Sequence, residues 1–185
     1  MRLFIAISLP DSFKEYLAIV QKQILNTGAG IRMVKPDNMH ITLKFIGEVS
    51  PEKAEVISEA LNKVKHSPFT LRSSPEIGAF PNRKNPRVIW LGLEEKTRNS
   101  MHTLFEEIEK SLEQRGIPRE KRAFKAHLTL GRVPDKMYWE NSFWRPILDI
   151  DIEKREYSVS SFELVQSKLL PAGAVYSTLE SYRLY

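Results

Sequence analysis

The tetrapeptide His40-Ile41-Thr42-Leu43 returns 87 residues later as His127-Leu128-Thr129-Leu130. On a β-strand, residues i and i+2 share a face. Each copy therefore presents an imidazole and a hydroxyl on one side and two aliphatic side chains, destined for a core, on the other. Two such strands facing each other would bring two imidazoles and two hydroxyls to one place. With an ordinary pKa near 6.5, one imidazole can be neutral while the other is charged. The neutral ring takes a proton from water or a hydroxyl, and the charged ring gives one to a leaving oxygen. Each such transfer is worth about 10²–10⁴-fold in rate. Thr42 and Thr129 would donate hydrogen bonds to the non-bridging oxygens of a phosphate held between the rings.

Other chemistries lack their residues. The chain contains no cysteine, which excludes thiolate nucleophiles, disulfides and Cys-based zinc sites. A catalytic zinc ion usually needs three protein ligands, and no Asp, Glu or third His stands at ligand spacing beside either motif. Asp37, three residues before His40, reads as part of the Lys35-Pro36-Asp37-Asn38 turn. His66 and His102 read as helix-end or surface residues without chemistry. The expectation is thus a site with neither metal nor cofactor.

The elements that must position the motifs alternate between strands and helices. Residues 2–8 read as a strand. Asp11 or Ser12 is expected to cap a helix with Phe13, Tyr16, Leu17, Val20 and Ile24 at helical period, Glu15 completing a capping box from Ser12. Gly28 and Gly30 end it. Strands at 31–34 and 39–46 follow, the second bearing His40. Ser50-Pro51 opens a second helix with Pro in its first turn, and Ile57, Ala60, Leu61 and Val64 form its apolar stripe. Strands are expected at 69–73 and 87–93, Val88-Ile89-Trp90-Leu91 being apolar enough for burial on both faces. A basic loop around Arg83, Lys84 and Arg87 separates them. A long helix at 97–115 stops at Gly116. The second motif lies on a strand at 126–133, and strands at 156–166 and 174–184 close the chain around Leu170-Pro171-Ala172-Gly173.

About three helices and eight intermixed strands, without a strand–Gly-rich loop–helix fingerprint, describe an α+β protein with mainly antiparallel sheets and helices packed outside. The doubled motif points to two similar lobes within one domain spanning residues 1–185. A content of 42% apolar and 28% charged residues is that of an ordinary soluble domain. No apolar run approaches the roughly 18 residues of a membrane span. The apolar N-terminus has a single basic residue ahead of it and no small-residue cleavage site, so it reads as a first strand, and a cytoplasmic protein is expected. A monomer is the expected state. The net charge of +5 favours an anionic partner, with nucleic acid foremost.

These residues resemble the two-histidine (2H) phosphoesterase superfamily, and within it the RNA 2′,3′-cyclic phosphodiesterases once called 2′-5′ RNA ligases. The resemblance rests on Arg2-Leu3-Phe4-Ile5-Ala6-Ile7, on His40-Ile41-Thr42-Leu43-Lys44-Phe45-Ile46-Gly47, on His127-Leu128-Thr129-Leu130-Gly131-Arg132, and on Ser167-Lys168-Leu169-Leu170 with Gly173 and Tyr176. It implies a bilobal, pseudo-symmetric fold with one motif strand from each lobe lining a central cleft. It implies hydrolysis of RNA 2′,3′-cyclic phosphate ends to 2′-phosphates, His40 acting as proton donor and His127 as proton acceptor. Ligation to a 2′-5′ bond would be the same reaction run backwards.

The resemblance further implies that Arg132 contacts phosphate and that Phe45 lies near a base. Strict alternation puts both on the face opposite the histidines, where Phe45 would be a core residue. Gly131 could mark a bulge that re-aims Arg132. Lys168 and Tyr176 are read as surface positions. The clusters Arg83, Lys84, Arg87 and Arg119, Lys121, Arg122, Lys125 could hold an RNA backbone, with binding that weakens as salt rises. Two alternatives remain open: a phosphodiesterase acting on small cyclic nucleotides or cyclic ADP-ribose phosphate, and a non-catalytic RNA-binding module.

Overall fold

A computed structural model describes residues 1–135, 139–171 and 173–185. Among the described residues the chain forms nine strands and four α-helices: β1 (Arg2–Ser8), α1 (Asp11–Asn26), β2 (Arg32–Met33), β3 (His40–Glu48), α2 (Pro51–Leu61), β4 (Phe69–Phe80), β5 (Val88–Leu93), α3 (Glu95–Glu113), β6 (Leu128–Arg132), α4 (Trp144–Leu148), β7 (Glu156–Val159), β8 (Ser161–Leu170) and β9 (Gly173–Arg183). They build two sheets, ordered β3-β1-β8-β9 and β2-β6-β5-β4-β7, with every pairing antiparallel. The two sheets make the expected bilobal α+β architecture. Each lobe repeats one plan, in which β1-α1-β3 corresponds to β5-α3-β6 and the motif strand lies beside the strand that precedes the helix.

The helical periods translate into burial. Phe13, Tyr16, Leu17, Val20 and Ile24 of α1 are buried, as are Ile57, Ala60 and Leu61 of α2 and Met101, Leu104, Phe105, Ile108 and Leu112 of α3. Ser50 caps α2 by accepting the Lys53 N–H, with Pro51 next to it. The capping box expected on α1 does not form. Pro10 precedes the first turn, and its carbonyl accepts from Phe13 and Lys14 instead. One continuous apolar core runs beneath both sheets.

Several boundaries differ from the sequence reading for identifiable reasons. β4 continues past the expected end at residue 73, through Ser74-Pro75 to Phe80. Residues Phe69–Arg72 pair with β7 and residues 77–80 with β5, so the proline falls where the ladder to β5 skips and no N–H is needed. The segment expected as one strand over 156–166 breaks at Ser160 because the chain crosses there from one sheet to the other. α4 has no periodic signal; its Trp144 is buried and donates its indole N–H to the Arg83 carbonyl at 2.6 Å. Ala172 of the expected final turn lies outside the described residues.

Candidate active site

His40 opens β3 and His127 immediately precedes β6, and these two strands approach each other where the lobes meet. The local geometry repeats. His40 Nδ1 lies 2.8 Å from the Asn38 carbonyl, and His127 Nδ1 lies 2.6 Å from the Lys125 carbonyl. A carbonyl can only accept, so Nδ1 carries the proton in both rings. Each Nε2 is thereby left to act as base when the ring is neutral or as donor when it is charged. His40 Nε2 sits 3.0 Å from Thr42 Oγ1, the same-face partner expected from strand alternation.

Each ring is backed by a phenylalanine. Phe4 of β1 lies 4.9 Å from His40, tilted by 33°, and Phe80 at the end of β4 meets His127 edge-on at 4.8 Å. Tyr176 also meets His40 edge-on, at 5.3 Å. This apolar backing half-buries both imidazoles and holds both pKa values below the usual 6.5; the carbonyl partners oppose the shift, and at His127 the nearby Arg132 adds to it.

Phe45 and Arg132 stand on the histidine face, contrary to strict alternation. β1 pairs Ser8 with His40, Ala6 with Thr42 and Phe4 with Phe45, so Leu43 is an extra residue in β3. β5 pairs Trp90 with Thr129, Ile89 with Gly131 and Val88 with Arg132, so Leu130 is an extra residue in β6. Both bulges fall three residues after the histidine, and each shifts the phase of the strand by one. Phe45 is consequently 64% exposed rather than a core residue. Gly131 marks its bulge as expected, and a Cβ there would lie 2.6 Å from Ile31 Cγ2.

A buried polar group from the opposite lobe's helix holds each bulge. Gln21 of α1 donates to the carbonyls of Leu130 and Val34, at 2.8 and 2.9 Å. Lys44, immediately after Leu43, is buried, 2.5 Å from Glu109 of α3, and donates to the Pro118 carbonyl at 3.1 Å. The second Glu109 oxygen accepts the Glu120 N–H. Gln21, Lys44 and Glu109 were missed in the sequence because a single polar residue within an apolar pattern reads as exposed. Phe4 and Phe80 read as core. Trp90, expected to be buried in a strand covered on both faces, is half-buried and lies over Gly78 beside Phe80.

The remaining candidates divide. Tyr176 belongs to the His40 face, whereas Lys168 is exposed on the opposite face of the same hairpin, since β8 pairs Ser167 with Tyr176. Arg83 donates to the Ile77 carbonyl and lies over Trp144, Arg87 pairs with Asp135, and Arg119 pairs with Glu106 and Glu113. Those cations already have intramolecular partners. Lys121 and Arg122 are exposed, and the Lys125 ammonium lies 5.6 Å over Phe80, beside His127. His66 is no surface residue: it is 12% exposed, 3.1 Å from Glu107 and against Phe69. His102 is exposed. Among the described residues no three His, Asp or Glu side chains gather as a metal site, and no helix is long and apolar enough to cross a membrane.

Known proteins resemble the chain over nearly its whole length. The chain is 37% identical over 182 residues to an RNA 2′,3′-cyclic phosphodiesterase of Archaeoglobus fulgidus, covering 98% of this chain and 99% of that one. It is 36% identical over 183 residues to its namesake in Thermotoga maritima, covering 97% and 93%. The crystal structure of Escherichia coli LigT in apo form superposes with a TM-score of 0.77 at 28% identity, covering 99% of this chain and 96% of that one. TT0787 of Thermus thermophilus superposes equally well, with 99% and 97% covered. The sequence model of the LigT-like phosphoesterases matches twice, over residues 7–90 and 91–176, one match carrying each motif. With two motif halves, two sheets and relatives matched end to end, the chain belongs to the LigT-like phosphoesterase family of 2H phosphoesterases.

Proposed function

We propose that the protein hydrolyses 2′,3′-cyclic phosphate ends of RNA to 2′-phosphate ends, using His40 as general acid and His127 as general base. The observation that carries this reading is the repeated tethering of Nδ1, which leaves the Nε2 of each imidazole available to a phosphate. Neutral His127 takes a proton from water as the water oxygen attacks phosphorus. The bond from phosphorus to the 3′-oxygen breaks, and charged His40 gives its Nε2 proton to that oxygen. The two rings exchange protonation states and return through solvent.

Thr42, Thr129 and Arg132 are assigned to the non-bridging oxygens, and Phe45 to a base. No metal or cofactor has a part in the scheme. The names of the curated relatives support the substrate class, as does a structural relative, E. coli LigT, crystallised with 3′-AMP. Lys121, Arg122 and Lys125 favour an oligonucleotide over a small cyclic nucleotide, through contacts to further phosphates. With an RNA 5′-hydroxyl in place of water, the reverse reaction would join 2′-5′ ends. We read the chain as one domain of two lobes, residues 1–185, working as a cytoplasmic monomer.

The test is to incubate RNA ending in a 2′,3′-cyclic phosphate with the protein and excess chelator, then identify the product. A 2′-phosphate is expected. A 3′-phosphate, or no product, would overturn the assignment.

A further inference from the structure

Beside His40 the first lobe's sheet opens into a pit of about 210 Å³. Its plan follows from the strand register. Thr42, Ala6 and Glu163 lie in one row across β3, β1 and β8. Two strand spacings therefore separate the motif threonine from the Glu163 position, roughly 10 Å. Ala6 belongs to the lining of the pit and is itself covered, packed with Phe4 and Val165. Phe4 and Tyr176, 5.1 Å apart and edge-on, bound the pit on the side toward the histidine. The volume is below that of the usual pocket for a drug-sized ligand and suits a single nucleobase.

The far wall of the pit is acidic and fixed. Ser8 Oγ donates to Glu163 Oε2 at 2.5 Å, and Thr178 Oγ1 donates to the same oxygen at 3.0 Å. The two strands flanking β8 thus hold one carboxylate oxygen, and among the described residues nothing donates to Oε1. Asp37 adds a second carboxylate to the lining. The cation present, Lys14, lies 3.4 Å from Asp11.

If His40 protonates the departing 3′-oxygen, the ribose that keeps this oxygen lies on the His40 side of the phosphate, and its base extends away from the phosphate along the sheet. We infer that the pit seats the base of the terminal nucleotide and that Glu163 selects bases presenting an amino group. The inference rests on the function proposed above. A carboxylate accepts from the exocyclic amine of cytosine or adenine and from the N–H edge of guanine. Uracil would offer its single N–H flanked by two carbonyl oxygens that repel the carboxylate. Ser8 and Thr178 are positioning residues, since their hydroxyls keep Oε1 turned to the pit.

The experiment compares kcat/KM for four dinucleotides that differ only in the base carrying the 2′,3′-cyclic phosphate. The wild-type protein is expected to disfavour uridine by roughly tenfold or more, the scale of one hydrogen bond to a charged group. Glu163→Gln, whose amide can also donate to uracil, is expected to bring the four substrates within about threefold of one another while leaving the thermal midpoint in place. Ser8→Ala with Thr178→Val should shrink the preference by releasing the carboxylate. Equal turnover of all four by the wild type would overturn the inference and leave the cyclic-phosphate chemistry standing. A preference that persists in Glu163→Gln at a uniformly lower rate would also overturn it. No turnover of any substrate would overturn the proposed function, and this inference with it.

Discussion

Phe45 and Arg132 hold equivalent places, each five residues beyond its motif histidine and each on the histidine's own side of the sheet. One extra residue between each histidine and its counterpart, Leu43 in β3 and Leu130 in β6, brings them there. The lobes thus share a backbone device and differ in the side chain it presents, an aromatic ring in one and a guanidinium in the other. The site has two-fold backbone symmetry and one-sided chemistry.

The clamp on the second bulge should be measurable. Replacing Gln21 with Leu takes the side-chain donor from the Val34 carbonyl and leaves the Leu130 carbonyl with the Val34 N–H alone, an expected loss of about 1–3 kcal/mol in urea denaturation. Because the bulge aims Arg132, kcat/KM should fall further than KM changes account for. Gln21→Glu, which puts an acceptor against two carbonyls, should do worse on both measures. Unchanged activity in a folded Gln21→Leu protein would show that the bulge holds without it.

The clamp on the first bulge is ionic, and its two halves are unequal to lose. Lys44→Met leaves the Glu109 carboxylate buried without its cation, at an expected cost of about 3–5 kcal/mol. The double variant Lys44→Met/Glu109→Leu should recover most of that loss. A double variant as unstable as the single one would mean that the pair matters for the loop at Pro118 and Glu120 rather than for charge balance.

Burial lowers both imidazole pKa values, with consequences for rate and stability. Turnover needs one ring charged and the other neutral, so kcat/KM should be bell-shaped with an optimum on the acid side of 6.5. An optimum above 7.5 would contradict the burial argument. For stability, the unfolded chain binds protons near 6.5 and the folded chain only below that. Stability is therefore complete above about 6.5 and falls as the pH drops through the window beneath it. The urea midpoint should decline from pH 7.5 to pH 5, and decline less in His40→Gln/His127→Gln.

Much of this was legible in the chain. The double motif, the apolar stripes of α1, α2 and α3 and the Ser50-Pro51 helix start carry period and capping signals that tertiary context left intact. The bulges were half legible. Gly131 announces one, because no side chain fits against Ile31 there. Nothing in Leu43-Lys44 announces the other, and an assumed period of two therefore placed Phe45 in the core. Lys44 and Glu109 were invisible for a related reason. Each looks solvent-facing until the other lobe is in place, and the sequence does not say that they meet. Tyr176, on an edge strand whose ladder runs through β8, reads as surface until the register carries it to His40.

The division of labour between the two histidines is the claim most open to contradiction, and a change of leaving atom tests it directly. In a 2′,3′-cyclic substrate with sulfur in place of the bridging 3′-oxygen, the departing thiolate needs no proton. His40→Ala and His127→Ala should each lose at least about a hundredfold on the ordinary substrate. On the sulfur substrate His40→Ala should approach the wild-type rate, while His127→Ala stays slow. Rescue of His127→Ala instead, or equal rescue of both, would contradict His40 as the acid and His127 as the base.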